Sequence, residues 1–223
     1  MPNYRVAIVP VTVFQQNCTV LWNDETKRCL IVDPGGEPGR ILDVLVQHEL
    51  RAETILLTHG HIDHAGGALA VKGTIDADYA GRGWGTVPIV GPDERDRFLL
   101  DGIEDQANTL GFQGLRNVTP DRFLTEGEII ESIGLSFEVF FCPGHTPGHI
   151  VFVEKTLRLA FVGDVLFRGS VGRTDFPYGD PEALIAAIKT KLLPLGDDIS
   201  FICGHGDGST FGVERERNPF LQG

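Results

Sequence analysis

Residues 56–67 read LLTHGHIDHAGG and place three histidines and an aspartate within six residues, directly after an apolar run. The whole chain has only seven histidines, so this concentration needs a reason. From the chain's own composition, the pattern H-x-H-x-D-H is expected in roughly 5 of every 10,000 shuffled chains, a false-positive rate low enough to pursue the motif. The segment therefore indicates a chemical site.

The spacing within this segment favours metal ligation. His59 and His61 lie two residues apart, so on an extended or turning segment both imidazoles face the same side. Asp63 and His64 are adjacent and diverge toward two nearby points. A catalytic zinc site typically takes three protein ligands and a water, so four ligands on one loop are more than one ion needs. We expect two ions, one bound by His59 and His61 and the other by Asp63 and His64.

Three later strand ends offer the remaining ligands. The segments CPGHTPGH, FVGDVLF and CGHGDG contribute His145, Asp164 and His205. His145 completes the first set, His205 completes the second, and Asp164 can bridge the two ions. A single histidine at a strand end is more often a hydrogen-bonded structural group, but the joint pattern favours ligation, because strand ends hold functional groups rigidly within reach of substrate.

The chemistry of the predicted site follows from its ligands. Nitrogen and oxygen donors without a thiolate suit zinc, iron or manganese, and zinc is the first expectation. Two such ions roughly 3.5–4 Å apart share a hydroxide, lower its pKa and polarise a carbonyl or phosphoryl oxygen.

The two remaining histidines are not predicted to bind metal. His48 is predicted on the solvent face of an amphipathic helix, and His149 is predicted to support a ligand rather than bind metal.

Length and charge limit the possible functions. At 223 residues the chain fits one domain over 1–223 with a substantial core. Its formal charge of −12 argues against nucleic-acid binding, which needs clustered Lys and Arg. No signal peptide or membrane-length apolar run is visible, so we expect a cytoplasmic location without membrane association. The oligomeric state stays open. Reduced thiols rather than disulfides are indicated for Cys18, Cys29, Cys142 and Cys203.

The pattern of apolar runs predicts a layered α/β protein. Helices are predicted over 38–50, over 93–111 and over 180–196, with a further helix opening within 64–72. The helix at 180–196 has Asp180 as its N-cap, Pro181 in first position and Gly196 past its end. Residues 74–120 are the least regular part. Strands are predicted at 4–14, 18–22, 28–33, 53–58, 135–144, 149–154, 157–164 and 199–206.

Together these motifs resemble the metallo-β-lactamase superfamily. They are T-H-x-H-x-D-H at 58–64, H-T-P-G-H at 145–149, G-D at 163–164 and G-H at 204–205. The resemblance implies an α/β fold, a four-layer αββα sandwich with a dinuclear site at one edge. Asp33 matches a position usually beside that site, and Asp63 and Asp164 are expected to act in catalysis. The implied metal ligands are His59, His61, Asp63, His64, His145, Asp164 and His205.

Within that superfamily, VGDVLFRGSVGRTDF and ERNPFLQ resemble glyoxalase II, the hydroxyacylglutathione hydrolases, and especially their short single-domain bacterial members. The implied substrate is a small-molecule glutathione thioester such as S-lactoylglutathione, with a role in methylglyoxal detoxification. A metal-bridging hydroxide would attack the thioester carbonyl while a metal stabilises the oxyanion. A thiol leaving group with a pKa of about 8.5 needs no strong general acid.

Substrate binding is predicted at the mouth of the site. Arg173 is expected to pair with a substrate carboxylate, with Tyr178 and the Trp84 region forming the pocket wall. Longer glyoxalases have a tyrosine where this chain has Asp175, which would repel a glutathione carboxylate that it faced. They also continue past the end of this sequence into a helical extension with basic glutathione-anchoring side chains.

Two rival functions are open at this point. The segment GRTDF also matches persulfide dioxygenases, which use a single iron held by two histidines and one carboxylate. In that case Asp63, His64 and His205 would have no metal to bind, so the full second set favours the hydrolase. A non-catalytic metal-binding protein on the same fold would have lost a ligand, and none is lost here. A secreted β-lactamase is disfavoured by the absence of a signal peptide.

Overall fold

Thirteen strands and seven α-helices are present in residues 3–222, the part of the chain that the computed structural model describes. The strands are β1 (Tyr4–Val11), β2 (Gln16–Asn23), β3 (Arg28–Val32), β4 (Arg51–Leu56), β5 (Ile89–Val90), β6 (Ile129–Ser132), β7 (Leu135–Phe141), β8 (Ile150–Glu154), β9 (Leu159–Gly163), β10 (Leu166–Phe167), β11 (Ser170–Val171), β12 (Ser200–Cys203) and β13 (Ser209–Thr210). The helices are α1 (Pro38–Gln47), α2 (Ile62–Ala65), α3 (Ala68–Arg82), α4 (Arg97–Asp101), α5 (Ile103–Leu110), α6 (Pro181–Ala187) and α7 (Phe211–Arg217).

The strands form two main sheets. The first has the order β1-β2-β3-β4-β5, in which β1, β2 and β3 pair antiparallel and β3, β4 and β5 pair parallel. The second has the order β13-β12-β9-β8-β7-β6. In the second sheet β12 is parallel to β9, and β8 is antiparallel to both β9 and β7. Strands β7, β9 and β12 therefore run in one direction, and their carboxyl ends lie at one edge.

The central strands β2, β3, β8 and β9 are buried on both faces, which explains their continuous apolar runs in the sequence. Side chains along a strand alternate between the two faces. In β3, Cys29 and Ile31 pack in a layer with helices α1 and α3, whereas Leu30 and Val32 pack between the two sheets. Strand β8 divides its side chains in the same way between the inter-sheet layer and a layer with α6. The order helix, sheet, sheet, helix confirms the predicted αββα sandwich.

Two backbone hydrogen bonds join the sheets at the edge that carries the predicted ligands. The amide of Asn17 donates to the carbonyl of Gly204 at 2.7 Å, and the amide of Ile150 donates to the carbonyl of Thr58 at 2.9 Å. The loop after β4 is thereby held against the start of β8, and the start of β2 against the loop after β12, whose Gly204 amide also donates to the carbonyl of Gly163 at the end of β9 at 2.8 Å. The topology thus brings four distant sequence segments to one place.

Two helical predictions need correction. Residues 74–120 contain most of α3, which continues to Arg82 through a segment that reads as irregular in the sequence. The helix predicted over 180–196 does begin with an Asp180 cap, whose carboxylate accepts the amide of Ala183 at 2.9 Å. It is α-helical only to Ala187, however, and then changes to a π-helical turn and a 3-10 turn. Pro194 lies in this last turn, and proline cannot donate the next α-helical hydrogen bond.

Other expectations concern single residues. His48 is half-buried and its ring stacks on Trp22 at 5.0 Å between centroids, so its placement on a solvent face was wrong. The expected free thiols are confirmed, since all four cysteines are unpaired and buried. No helix in residues 3–222 is long and apolar enough to cross a membrane.

Candidate metal centre

All seven predicted ligands meet at the edge where the two sheets are joined. The first four follow β4, on the loop that leads into and through the short helix α2, and the others follow β7, β9 and β12. Their side chains form two groups, and in each the donor atoms lie within 4.8 Å of one another. We define the nitrogen set as His59, His61 and His145, and the carboxylate set as Asp63, His64 and His205.

The nitrogen set directs three ring nitrogens at one point. Nδ1 of His61 lies 3.1 Å from Nε2 of His59 and 3.0 Å from Nε2 of His145. His59 and His145 are buried. Such close approach of three imidazole nitrogens is the geometry of a shared cation rather than of a packed apolar core.

Hydrogen bonds on the other ring nitrogens indicate the tautomers of this set. The Thr58 hydroxyl donates to Asp33 at 2.6 Å, so it accepts from Nδ1 of His59 at 3.0 Å. Nδ1 of His145 donates to the carbonyl of Arg173 at 2.8 Å. The Nε2 atoms of His59 and His145 therefore carry lone pairs, and Nδ1 of His61 can donate to only one of them. A cation between the three nitrogens would accept the lone pairs of all of them.

The electrostatics keep these imidazoles neutral, which is the form that binds metal. Burial and the neighbouring histidines hold the pKa of His59 well below its usual value. Burial, together with His145, lowers the pKa of His61 to about 3. Burial also lowers the pKa of His145, although Asp164 opposes the shift.

The carboxylate set is built differently. Nδ1 of His64 donates to Asp33 at 2.9 Å and that of His205 donates to the carbonyl of Phe14 at 3.1 Å, so both Nε2 atoms face the site. Nε2 of His205 lies 3.3 Å from the Asp63 carboxylate. Burial opposes charge on both rings, yet the adjacent carboxylates raise the pKa of His64 and of His205 above its usual value.

Asp164 lies between the two sets. Its Oδ2 is 3.5 Å from Nε2 of His145 and 3.6 Å from Nε2 of His205, and its Oδ1 is 3.4 Å from Nε2 of His64. Despite burial, the surrounding histidines hold the pKa of this carboxylate well below its usual value. One carboxylate therefore reaches both donor sets, as the predicted bridge requires.

Unsatisfied polar atoms test whether metal ions fit this site. In the described part of the chain, Nε2 of His64 and Oδ1 of Asp164 are buried and face each other at 3.4 Å, and neither has a hydrogen bond of good geometry. Buried polar atoms without partners are costly unless something else binds them. Asp33 also approaches His59 and His64 closely enough to be considered a ligand, but its oxygens already accept from Thr58 and His64. The donor set fits two divalent cations, with Asp33 as an outer support.

His149 and Gly204 complete the support of the bridge. The amide of Asp164 donates to Nε2 of His149 at 3.0 Å, and the His149 ring stacks on His59 at 4.5 Å between centroids. This placement agrees with the predicted supporting role. A Cβ atom on Gly204 would lie 2.0 Å from Oδ1 of Asp164 and 2.5 Å from Cε1 of His64. Only glycine leaves room for both side chains.

A cleft of about 760 Å³ opens over the donor sets. Much of its wall is aromatic, with Phe14, Phe167, Phe176 and Tyr178 beside the ligand residues. Phe167 and Phe176 stand in the segment VGDVLFRGSVGRTDF, which gave no indication that they line a cleft, and Phe14 lies far from them in the sequence, before β2. The cleft suits an acyl group or another partly apolar ligand.

The two predicted substrate residues both line this cleft. The guanidinium of Arg173 forms two hydrogen bonds of 2.7 Å with Asp175 and lies 4.6 Å from the centre of the Phe176 ring. Its cation is therefore already paired. The hydroxyl of Tyr178 lies 2.9 Å from Nε2 of His61, and burial raises the pKa of this phenol to about 12, so it stays protonated at neutral pH.

The prediction for the Trp84 region was wrong. Trp84 lines a different cleft, between α1 and α3, where its ring meets Tyr79 at 5.1 Å and lies under the guanidinium of Arg51 at 4.3 Å. The sequence shows that Trp84 is an aromatic residue in a glycine-rich segment. It does not show the direction of the end of α3, which places Trp84 away from the donor sets.

Comparisons with known proteins agree with this geometry. Residues 11–205 match the Metallo-beta-lactamase superfamily. Hydroxyacylglutathione hydrolase GloC from Haemophilus influenzae is 48% identical over 218 residues, which cover 97% of this chain and 98% of that protein. Probable metallo-hydrolase YqgX from Bacillus subtilis is 34% identical over 217 residues, which cover 96% of each chain.

A solved structure agrees as well. TTHA1623 in a di-iron-bound form superimposes with a TM-score of 0.82 at 35% identity, covering 96% of this chain and 100% of that one. The family match spans most of the chain, and the relatives align over nearly their whole length. The chain belongs to the metallo-β-lactamase superfamily, as a metal-dependent hydrolase similar to the hydroxyacylglutathione hydrolases.

Proposed function

We propose that the protein hydrolyses glutathione thioesters such as S-lactoylglutathione, using two divalent cations. The observation that carries this proposal is the division of the donors into two complete sets of three around the shared carboxylate of Asp164. The similarity to GloC supports the substrate class. The di-iron form of TTHA1623 supports occupancy by two ions and keeps iron beside zinc as a candidate metal.

Each donor set would hold one cation, and Asp164 would contact both. When bound, the cations supply an activated water and a Lewis acid for the thioester carbonyl. The contribution of the protein is to keep the imidazoles of the nitrogen set neutral and the Asp164 carboxylate ionised, and to fix the directions of the donors in both sets. Asp33 does this for His59 through Thr58 and for His64 directly.

The aromatic cleft would bind the acyl group through apolar contacts. Tyr178 keeps its proton at neutral pH. If Nδ1 of His61 faces a cation, Nε2 carries the hydrogen and donates to the Tyr178 oxygen, so that the phenol O–H is free to donate into the cleft. This arrangement gives Tyr178 a place in substrate binding, as a donor to a hydroxyl or carbonyl oxygen.

Arg173 would contact a carboxylate of the thiol portion of the substrate. Because Asp175 already pairs with it, the substrate carboxylate must compete with Asp175. Both side chains are exposed, and exposed ion pairs contribute little, so this competition is feasible. No strong general acid is required, because a thiol with a pKa of about 8.5 is acidic enough to leave as its thiolate.

A small-molecule thioester is the proposed partner, with no nucleic acid and no membrane, in keeping with the formal charge of −12. A cytoplasmic location and a role in methylglyoxal detoxification belong to the same proposal. Free cysteines are typical of a reducing compartment.

The proposal is tested by assaying metal-loaded protein with S-lactoylglutathione beside the His61→Ala variant. We expect thioester cleavage by the wild type and its loss in the variant, while the control variant His48→Ala retains activity because His48 stacks on Trp22 outside the site. Oxygen uptake with glutathione persulfide and no thioester cleavage would instead assign the protein as a mononuclear-iron dioxygenase.

A further inference from the structure

A carboxylate outside the donor sets connects the two loops that carry the nitrogen set. Asp96 is fully buried and lies in a 3-10 turn just before α4. Its Oδ2 accepts the amide of Gly60 at 2.9 Å and the hydroxyl of Thr146 at 2.7 Å, and its Oδ1 accepts the amide of Gly148 at 2.5 Å. Charged groups buried in this way are rare unless they have a specific role.

These three bonds reach across the sandwich. Gly60 lies between His59 and His61 on the loop after β4, whereas Thr146 directly follows His145 on the loop after β7. One carboxylate therefore ties together the two sequence segments that supply all three members of the nitrogen set. Its own hydrogen bonds go to Gly60, Thr146 and Gly148 and not to those imidazoles.

The contact is closely packed on both sides. A Cβ atom on Gly148 would lie 2.5 Å from the amide nitrogen of Asp96 and 2.8 Å from its Cβ. A Cβ atom on Gly60 would lie 2.9 Å from the carbonyl oxygen of Asp96. Glycines on both loops thus allow the turn that carries Asp96 to approach closely.

Ordinary structural uses do not account for this carboxylate. It does not cap α4, since no backbone amide of that helix bonds to its side chain. No ion pair joins it to a lysine, arginine or histidine within residues 3–222. The backbone contacts between the same turn and Gly148 persist without the side chain, because the Asp93 amide donates to the Gly148 carbonyl at 3.1 Å.

We infer that Asp96 is a positioning residue that sets the spacing between the His59–His61 loop and His145, and thereby the affinity of the nitrogen set for its cation. The inference rests on the proposed metal centre but not on the proposed substrate. Outer supports of metal ligands typically change metal affinity by about 10- to 100-fold when removed.

Cobalt(II) binding to the metal-free protein tests this role. We expect Asp96→Ala to weaken cobalt binding at the nitrogen set about tenfold or more. Its visible cobalt absorption should change in the same direction as that of His145→Ala, measured in parallel, and not as that of His205→Ala. Asp96→Asn should fall between, since one oxygen can still accept while the new amide group faces a donor.

Asp93→Asn is the matched control. Asp93 is a buried carboxylate on the same turn, but within residues 3–222 its side chain hydrogen-bonds to Arg95 and not to the two ligand loops. Its variant should keep wild-type cobalt affinity and absorption. If Asp96→Ala does not fold, Thr146→Val, which removes a single bond from the same carboxylate, carries the test with a smaller shift.

Unchanged cobalt spectra and affinities in folded Asp96 variants would overturn the inference and leave Asp96 a purely structural residue. A loss confined to the carboxylate set would overturn it as well. The readout involves no thioester, so a wrong substrate assignment leaves the result interpretable.

Discussion

The nitrogen set and the carboxylate set are neighbours that share Asp164, but they are held in opposite ways. In the nitrogen set, burial keeps the imidazoles neutral and hydrogen bonds fix which nitrogen faces the centre. In the carboxylate set, negative groups raise the pKa of the histidines, and His205 is more open to solvent. The first set is prearranged for a cation, whereas in the second a cation must displace protons that the carboxylates attract.

The largest expected effect is that of a substitution at Gly204, which should disrupt the carboxylate set. In Gly204→Ala the new Cβ would overlap Asp164 and His64, so we expect the carboxylate set to lose its cation and kcat to fall on the order of 10³-fold, equivalent to several kcal/mol of lost charge stabilisation. Metal analysis and thioester assays check both effects. Gly73→Ala is the control, since its Cβ would meet nothing within 4 Å. Full metal content and activity in Gly204→Ala would contradict the geometry of the carboxylate set.

A smaller effect concerns the support of the nitrogen set. Burial raises the pKa of Asp96 to about 6 from its ordinary 3.8, and Asp93 adds to the shift while hydrogen bonds from Thr146, Gly60 and Gly148 oppose it. Between these two values the folded protein binds a proton that the unfolded chain has released. Ionisation of Asp96 therefore reduces stability as pH rises through this window, by up to about 3 kcal/mol.

Asp96→Asn lacks this titration. Relative to that variant, the wild type should lose unfolding free energy between pH 4 and pH 7, as measured by urea unfolding of both metal-free proteins. A difference between the two proteins that does not change with pH would show that Asp96 is ionised in the folded state throughout this range.

The smallest effect lies at the mouth of the cleft, beyond both donor sets. Arg173→Ala should raise KM for S-lactoylglutathione about fivefold and change kcat less, since an exposed charge contact contributes up to about 1 kcal/mol. Asp175→Asn should lower the same KM, because it frees the Arg173 guanidinium. A thioester of an uncharged thiol serves as the control and should respond to neither substitution. An unchanged KM in Arg173→Ala would remove that side chain from substrate binding.

The two donor sets were predictable from the sequence because their signals are local. His59, His61, Asp63 and His64 stand on one loop, and the later ligands each follow a buried strand with a glycine nearby. Strand direction then brings these ends to one edge, so the pattern alone indicated the site.

The supports of the site were not predictable in this way. Asp96 has no motif around it, and its partners lie 36 to 52 residues away. For Asp175 the sequence predicted only repulsion of a carboxylate that it faced, and its pairing with Arg173 was not predicted. The direction of Trp84 depends on where α3 ends. Each of these features depends on contacts between residues or elements that no local sequence motif indicates.

The most direct test of the account is the number of metal ions bound per chain, measured by titrating metal-free protein with zinc and confirming the bound metal by elemental analysis. Two donor sets around Asp164 predict about two ions per chain, falling to about one in His205→Ala. A single ion per chain in the wild type, unchanged by His205→Ala, would contradict the dinuclear centre.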